Sequence, residues 1–190
     1  MTNKIVAICA GHSDVDSGAV AQQNGKLVKE ATLAVQFRNA VITYLQKEKN
    51  ITLRVDGHGS SNAPLSESIK LIKGSDLAIE WHMNASTNAT ASGVETISLP
   101  KDKVLAQKLS GAIAKVFDSK LRGDKGWIDQ SQSARGKLGF VSNKGLIVEL
   151  EFISNPEKLK VFQEKYWLAA RAVADVIIEH LRSEEHTSEL

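Results

Sequence analysis

Four ionisable side chains stand at positions where a hydrolytic metal site could use them. His12 follows the apolar run IVAICA, His82 lies near the end of LAIEWHM, and Glu149 lies within LIVELEF. Glu30 stands at the start of a helical pattern. A catalytic zinc site takes three protein nitrogen, sulfur or carboxylate ligands and keeps one position for water. Two histidines and one glutamate would suffice, and a second glutamate could carry a proton to and from that water.

These four residues are far apart in the sequence, since successive members are 18, 52 and 67 positions apart. Only the fold can bring them together. Hydrophobic periodicity predicts strands at 4–10, 51–55, 77–83, 93–99, 138–142 and 146–150, and helices at 28–49, 65–73, 101–121 and from Asn155 onward. The segments 11–26 and 122–137 are predicted to be loops.

The alternation of strands and helices predicts an α/β fold. We expect a single domain with a mixed, mostly parallel sheet of about six strands, flanked by helices on both faces. Functional sites in such sheets lie just beyond the carboxyl ends of the strands. His12, His82 and Glu149 are all placed at or near such ends, which makes their proximity plausible.

Composition narrows the class of protein. The 190 residues are 42% hydrophobic, and 24 basic residues against 22 acidic ones give a net charge of +2. This balance argues against a dedicated nucleic-acid-binding protein. The lone Cys9 is predicted to be a buried thiol, since one cysteine cannot build a disulfide framework. Neither a membrane-inserted segment nor a secretory signal is evident, so we expect synthesis in the cytoplasm. We also expect the protein to be a monomer.

The last nine residues, RSEEHTSEL, resemble the in-frame translation of a sequencing-adapter oligonucleotide. The adapter-like stretch begins at Arg182. We therefore predict a domain over 1–182 and a non-native tail over 183–190, with the natural protein continuing differently.

Four sequence blocks resemble those of zinc-dependent N-acetylmuramoyl-L-alanine amidases of the amidase-3 type. GHSDVDSGA is similar to the GHGGxDxGA opening of that family, and NGKLVKEATLAV to its second block. SDLAIEWHMNAS is similar to the block ending in SIHxNA, and LIVELEFISNP to LVExGFxSNP. The segments RVDG and GVET also stand where the family has similar ones. The blocks run in the family's order from about Lys4 to the final helix.

The resemblance implies a site and an activity. His12, Glu30 and His82 would hold one Zn²⁺ ion, and Glu149 would be the catalytic glutamate. The substrate would be bacterial peptidoglycan, cut at the amide between N-acetylmuramic acid and L-alanine of the stem peptide. We expect a phage endolysin made in the host cytoplasm that acts on the cell wall, with a C-terminal wall-binding module missing here. A sporulation enzyme or an autolysin domain would also fit.

The chain departs from the family pattern at five positions: Ser13 and Asp14 replace glycines, Glu80 and Trp81 replace serine and isoleucine, and Glu151 replaces a glycine. On a regular strand Glu151 shares a face with Glu149. It could crowd the site, raise the pKa of Glu149, or lie on a strand that already turns away.

Other polar and aromatic residues receive supporting roles. Asp16 is predicted to bond the backbone or orient His12 rather than to bind metal. Asn84 could bind substrate or form a turn, Arg135 and Trp127 could line a glycan or peptide groove, and His58 is expected to be exposed. Two other functions stay open: a zinc peptidase acting on free peptides, and a non-catalytic peptidoglycan-binding relative.

Overall fold

The computed structural model describes residues 3–188, including the side chains of 3–184. These residues form eight strands, five α-helices and two short 3₁₀ turns. The strands are β1 (Lys4–Ala10), β2 (Val20–Gln23), β3 (Lys26–Lys29), β4 (Ile51–Val55), β5 (Leu77–Asn84), β6 (Glu95–Ser98), β7 (Trp127–Asp129) and β8 (Leu146–Phe152). The helices are α1 (Glu30–Leu45), α2 (Leu65–Ile72), α3 (Lys103–Phe117), α4 (Gly139–Ser142) and α5 (Pro156–Ser188), and the 3₁₀ turns are Pro100–Asp102 and Gln130–Gln132.

Six of the strands form one sheet in the order β4-β1-β5-β8-β6-β7. Every neighbouring pair in it is parallel except β6 and β8, which are antiparallel. β2 and β3 form a separate hairpin. The predicted α/β fold with a mixed, mostly parallel six-stranded sheet is confirmed.

Helices cover both faces of the sheet because its central strands are apolar on both sides. On β1, Val6 and Ile8 belong to the larger core with α1, α3 and α5. Ala7 and Cys9 point the other way, into a smaller core with α2 and α4. Side chains alternate between the two faces of a strand, so one apolar run supplies both cores. Cys9 is a buried thiol, as predicted.

Three parallel strands in the centre of the sheet, β1, β5 and β8, end at the same edge. His12 follows β1, while His82 on β5 is paired in register with Glu149 on β8. Glu30 opens α1, and its backbone N–H donates to the carbonyl of Ala19 at 2.8 Å. The sheet edge and the start of α1 therefore bring together the four residues singled out by their chemistry.

A buried polar network fixes the end of β1. The side chains of Arg38 and Asp56 are fully buried and form an ion pair with an Nη1–Oδ1 distance of 2.9 Å. Asp56 accepts from the N–H of Ala10, and Arg38 donates to Asn62 Oδ1. The Asn62 amide donates in turn to the carbonyls of Ala10 and His12. Because its partners are buried, this network holds the backbone at His12 in one conformation.

Three element predictions were wrong. The loop predicted over 11–26 contains most of the β2–β3 hairpin, which turns at Asn24 and Gly25, both with positive φ. Asn-Gly is the strongest short hairpin signal, and it was overlooked. The loop over 122–137 contains β7. The strand predicted over 138–142 is the short helix α4, because a five-residue apolar run does not distinguish strand from helix.

The final helix begins as predicted and extends further. Asn155 Oδ1 accepts from the N–H groups of Glu157 and Lys158, and Pro156 occupies the first turn. The helix continues into the predicted tail as far as Ser188. The tail's last two residues lie outside the described part of the chain, and its non-native origin stays a prediction. No helix within residues 3–188 has both the length and the apolar character to cross a membrane.

Candidate metal centre and catalytic pocket

The Glu30 carboxylate lies between two imidazoles. Its Oε1 is 3.0 Å from Nδ1 of His82, and its Oε2 is 3.0 Å from Nε2 of His12. The backbone N–H groups of Met83 and Ala19 donate to the same two oxygens at 3.0 and 2.8 Å. Burial alone would raise the pKa of Glu30, but the two histidines outweigh it and hold that pKa far below its usual range. Glu30 is therefore a buried anion at neutral pH.

The donor atoms of His12, Glu30 and His82 are close enough to share one metal ion. All three lie within 4.8 Å of one another, and the two imidazole rings are 74° apart. Nε2 of His12 is buried and has no aligned hydrogen-bond partner among the described residues, although Glu30 Oε2 is near. A buried ring nitrogen without a hydrogen bond, beside a carboxylate and a second imidazole, fits a ligand set of the kind that zinc prefers.

A carboxylate also contacts the other nitrogen of each imidazole. Asp16 Oδ2 lies 2.9 Å from Nδ1 of His12, and Glu80 Oε2 lies 2.9 Å from Nε2 of His82. Metal-binding histidines usually donate their second N–H to such a partner. Burial lowers the pKa of both imidazoles, but their carboxylate neighbours outweigh it, raising the pKa of His12 and raising that of His82 well above its usual value. Asp16 thus stands where its predicted orienting role requires.

Two glycines allow the imidazoles to reach Glu30. A Cβ at Gly11 would lie 2.2 Å from the His82 ring, and one at Gly18 would lie 2.5 Å from the His12 ring. Between β1 and β2, positive φ is confined to His12 (69°) and Gly18 (61°). Ser13 and Asp14 therefore need no glycine conformation, which explains how the chain tolerates both departures from the family pattern.

Glu149 faces the same centre from β8. It is 5% exposed, and its Oε2 is buried without a hydrogen-bond partner in the described part of the chain. Burial, the main cause, raises the pKa of Glu149 to about 7; Glu30 and Glu95 add to the increase, while His82 and Arg135 oppose it. A carboxyl group with a pKa near neutrality can both accept and donate a proton under physiological conditions.

A further glutamate, Glu95, was missed by the sequence reasoning. It lies directly opposite Glu149 on the antiparallel strand β6 and is buried. Its carboxylate forms an ion pair with Arg122 and accepts from the Asn84 side-chain amide at 3.2 Å. The sequence feature that could have identified Glu95 is its charge, since it is the one charged residue in the predicted strand segment GVETISL.

Glu151 does not share the face of Glu149. Between His82 and Asn84 the pairing of β5 with β8 shifts register, since Glu149 opposes His82 but Phe152 opposes Asn84. This bulge breaks the two-residue alternation of side chains. The fully buried Glu151 carboxylate accepts from the Gly93 N–H and from the Ser119 hydroxyl. Glu151 therefore holds the neighbouring backbone at Gly93 in place. It does not crowd Glu149.

A pocket of about 740 Å³ opens over the centre. Arg135 and Asn84 line it, with apolar walls that include Leu65, Ile97, Ile128, Leu138 and Phe140. Trp127 is not among the lining residues: its indole N–H donates to Ser98 Oγ at 3.0 Å, and the Lys103 ammonium lies 4.7 Å from its ring. The structure thus brings Arg135 and Asn84 to the site and leaves Trp127 in the packing between β7 and β6. His58 is exposed, as expected.

Two histidines and one glutamate form one of the ligand sets of catalytic zinc sites, and the carboxyl ends of the strands are where α/β sheets of this kind carry their sites. The sequence profile of the N-acetylmuramoyl-L-alanine amidase family, Amidase_3, matches residues 6–179. The chain therefore belongs to this family of peptidoglycan hydrolases, and the resemblance seen in the sequence is confirmed.

Solved structures agree with this assignment. The structure of a candidate N-acetylmuramoyl-L-alanine amidase from Neisseria meningitidis is 40% identical, with a TM-score of 0.85, and the match covers 94% of this chain and 96% of that one. The catalytic domain of the amidase CwlV from Bacillus (Paenibacillus) polymyxa var. colistinus is 21% identical, with a TM-score of 0.80 and coverage of 94% and 98%. The catalytic domain of the CD27L endolysin, which targets Clostridia difficile, is 20% identical, with a TM-score of 0.69 and coverage of 93% and 98%. A comparison with curated proteins gave no significant match.

Proposed function

We propose that this protein is a zinc-dependent amidase that hydrolyses the amide between N-acetylmuramic acid and L-alanine of the peptidoglycan stem peptide. One observation carries the proposal: His12, Glu30 and His82 converge within 4.8 Å at the sheet edge where the buried Glu149 faces them. The family assignment supplies the substrate class, and the donor set supplies the choice of metal.

His12, Glu30 and His82 would hold the zinc ion. A zinc ion bound there would lower the pKa of a water molecule and polarise the scissile carbonyl. Glu149 takes the proton from the attacking water, because its Oε2 is the carboxylate oxygen left without a partner beside the three ligands. It then passes the proton to the amine nitrogen of the departing L-alanine. Asp16 holds the His12 ring from behind.

The pocket supplies the substrate contacts. The exposed guanidinium of Arg135 stands near enough to Glu149 to lower its pKa and can attract a carboxylate of the stem peptide. Asn84 is already engaged, since its amide donates to Glu95 and its Oδ1 accepts from the Ala85 N–H. We therefore assign Asn84 to shaping the strand end, and the apolar walls to the uncharged parts of the substrate.

Digestion of purified peptidoglycan by the zinc-loaded protein tests the activity. The expected products are peptides with a new N-terminal L-alanine and glycan strands that carry free lactyl groups, without new reducing sugar ends. Mass spectrometry of the soluble fraction distinguishes these products. Cleavage of simple peptides with no action on walls would instead identify a zinc peptidase, and wall binding without new amino termini a non-catalytic relative.

The biological role that we propose is that of an endolysin acting as a monomer on the bacterial wall. The fold shared with the CD27L catalytic domain supports it. Expression in a susceptible bacterium is expected to lyse the cells only when a pore-forming protein opens the membrane. Lysis without the pore, at the same expression level, would contradict this role.

A further inference from the structure

We propose that Glu80 is a positioning residue that keeps the proton of His82 on Nε2, so that the Nδ1 lone pair faces the metal position. The inference rests on the zinc site of the proposed function and assigns a role to a residue that departs from the family pattern. Serine is usual where Glu80 stands, two positions before the histidine.

Glu80 occupies a costly place for a carboxylate. Its side chain is 4% exposed. Its strand neighbours in register are Cys9 on β1 and Ile147 on β8, both part of the apolar core under α2 and α4. Among the described residues, the Glu80 carboxylate has one hydrogen-bond partner, Nε2 of His82, at 2.9 Å. A buried charge requires a partner, and here that partner is the imidazole of a predicted ligand.

The contact matters because Glu30 competes for the same proton. A histidine that binds a metal ion gives up one ring proton and keeps one N–H, which can lie on either ring nitrogen. Glu30 Oε1 is 3.0 Å from Nδ1, so it would draw the proton onto the nitrogen that must bind the metal. Glu80 Oε2 offers an equally close acceptor on the opposite side of the ring. It favours the tautomer with Nε2–H and also holds the ring plane in place.

The corresponding contact at His12 is more exposed. Asp16, which contacts the His12 ring in the same way, has a side chain that is 63% exposed, against 4% for Glu80. Water can replace a lost acceptor at an exposed site and does so poorly at a buried one. Removal of the Glu80 carboxylate should therefore weaken metal binding more than the equivalent change at Asp16.

Zinc affinity measured by chelator competition on the full chain tests the proposal. Glu80→Gln keeps the volume and removes the charge, and Glu80→Ser restores the residue usual in the family. We expect zinc binding to weaken about 10-fold to 100-fold in both variants and less in Asp16→Asn. Glu67→Gln, at an exposed glutamate of α2, is the control and should bind zinc as the wild type does.

A second readout separates positioning from general stability. In the zinc-loaded wild type the His82 Nε2–H should give a slowly exchanging proton signal in NMR, and this signal should be lost by exchange in Glu80→Ser. Equal zinc affinity in wild type and Glu80→Gln, with the signal unchanged in Glu80→Ser, would overturn the proposal. Failure of the wild type to bind zinc would instead overturn the metal centre of the proposed function.

Discussion

Replacement of Glu149 by glutamine is expected to lower the rate of amide hydrolysis by about 10²-fold to 10⁴-fold while zinc stays bound. Glutamine fills the same space opposite His82 and Glu95 but cannot accept the proton of the attacking water. Release of new N-terminal alanine from purified walls gives the rate, and metal analysis gives the zinc content.

Glu151→Gln is the matched control, since it removes a buried carboxylate from the same strand. Its oxygens serve Gly93 and Ser119 rather than the pocket, so the hydrolysis rate should stay within a few-fold of the wild type. Loss of activity in Glu151→Gln with full activity in Glu149→Gln would reverse the catalytic assignment.

The same Glu149→Gln variant is expected to be more stable than the wild type at alkaline pH when both are metal-free. The folded-state pKa of about 7 lies above the ordinary value of 4.5, so the protonated carboxyl favours the folded state. The contribution of Glu149 to wild-type stability should therefore fall as pH rises from about 4.5 to 7, by up to roughly 3 kcal/mol. Glutamine removes that loss, and denaturant unfolding of both proteins at pH 5 and pH 8 measures it. A variant less stable than the wild type at pH 8 would contradict this account.

Replacement of Glu30 by glutamine is expected to weaken zinc binding by roughly 10²-fold to 10⁴-fold and to lower wall hydrolysis at limiting zinc. Glu30 is the one anion among the three predicted ligands, and its carboxylate joins the two imidazoles. If zinc binding free energies of about 10–16 kcal/mol are shared among three protein ligands, one ligand contributes about 3–5 kcal/mol, or roughly 10²-fold to 10⁴-fold in affinity. Metal analysis after dialysis and chelator competition measure the loss.

Zinc-dependent thermal stabilisation provides the control for Glu30→Gln. Excess zinc should raise the melting temperature of chelator-treated wild type, because it binds only the folded state, and should raise that of the variant less at the same zinc concentration. Zinc should also restore activity to the stripped wild type at lower concentrations than to the variant. A Glu30→Gln protein that binds one zinc ion with wild-type affinity would remove Glu30 from the ligand set.

The sequence allowed much of this site to be predicted because its residues occupy strand ends and helix starts, where simple patterns are informative. The apolar runs that contain His82 and Glu149 are buried central strands, and parallel strands in one sheet end at one edge. Glu30 was placed by its family block at the start of α1, where the structure also has it.

Features that depend on register could not be read in the same way. The bulge between β5 and β8 redirects Glu151, and no local composition indicates a shift between two strands more than 60 residues apart. The places of Glu95 and Glu80 in the site also depend on strand pairing. Pairing sets Glu95 opposite Glu149, and it surrounds Glu80, the proposed positioning residue for His82, with apolar neighbours. The position of Trp127 depends on strand pairing as well. It lies on β7, in the segment predicted to be a loop, and its indole bonds Ser98 on β6 instead of lining the pocket.

The proposed metal centre also bears on the stability of the chain as a whole. Its three predicted ligands come from the segment after β1, the start of α1 and the end of β5, and successive ligands are 18 and 52 positions apart. One ion bound to all three would stabilise the folded state, because the three segments come together to form the site only there. In a protein whose single cysteine is buried and cannot form an internal disulfide, the proposed ion would thus join distant segments of the folded chain as well as serve the reaction.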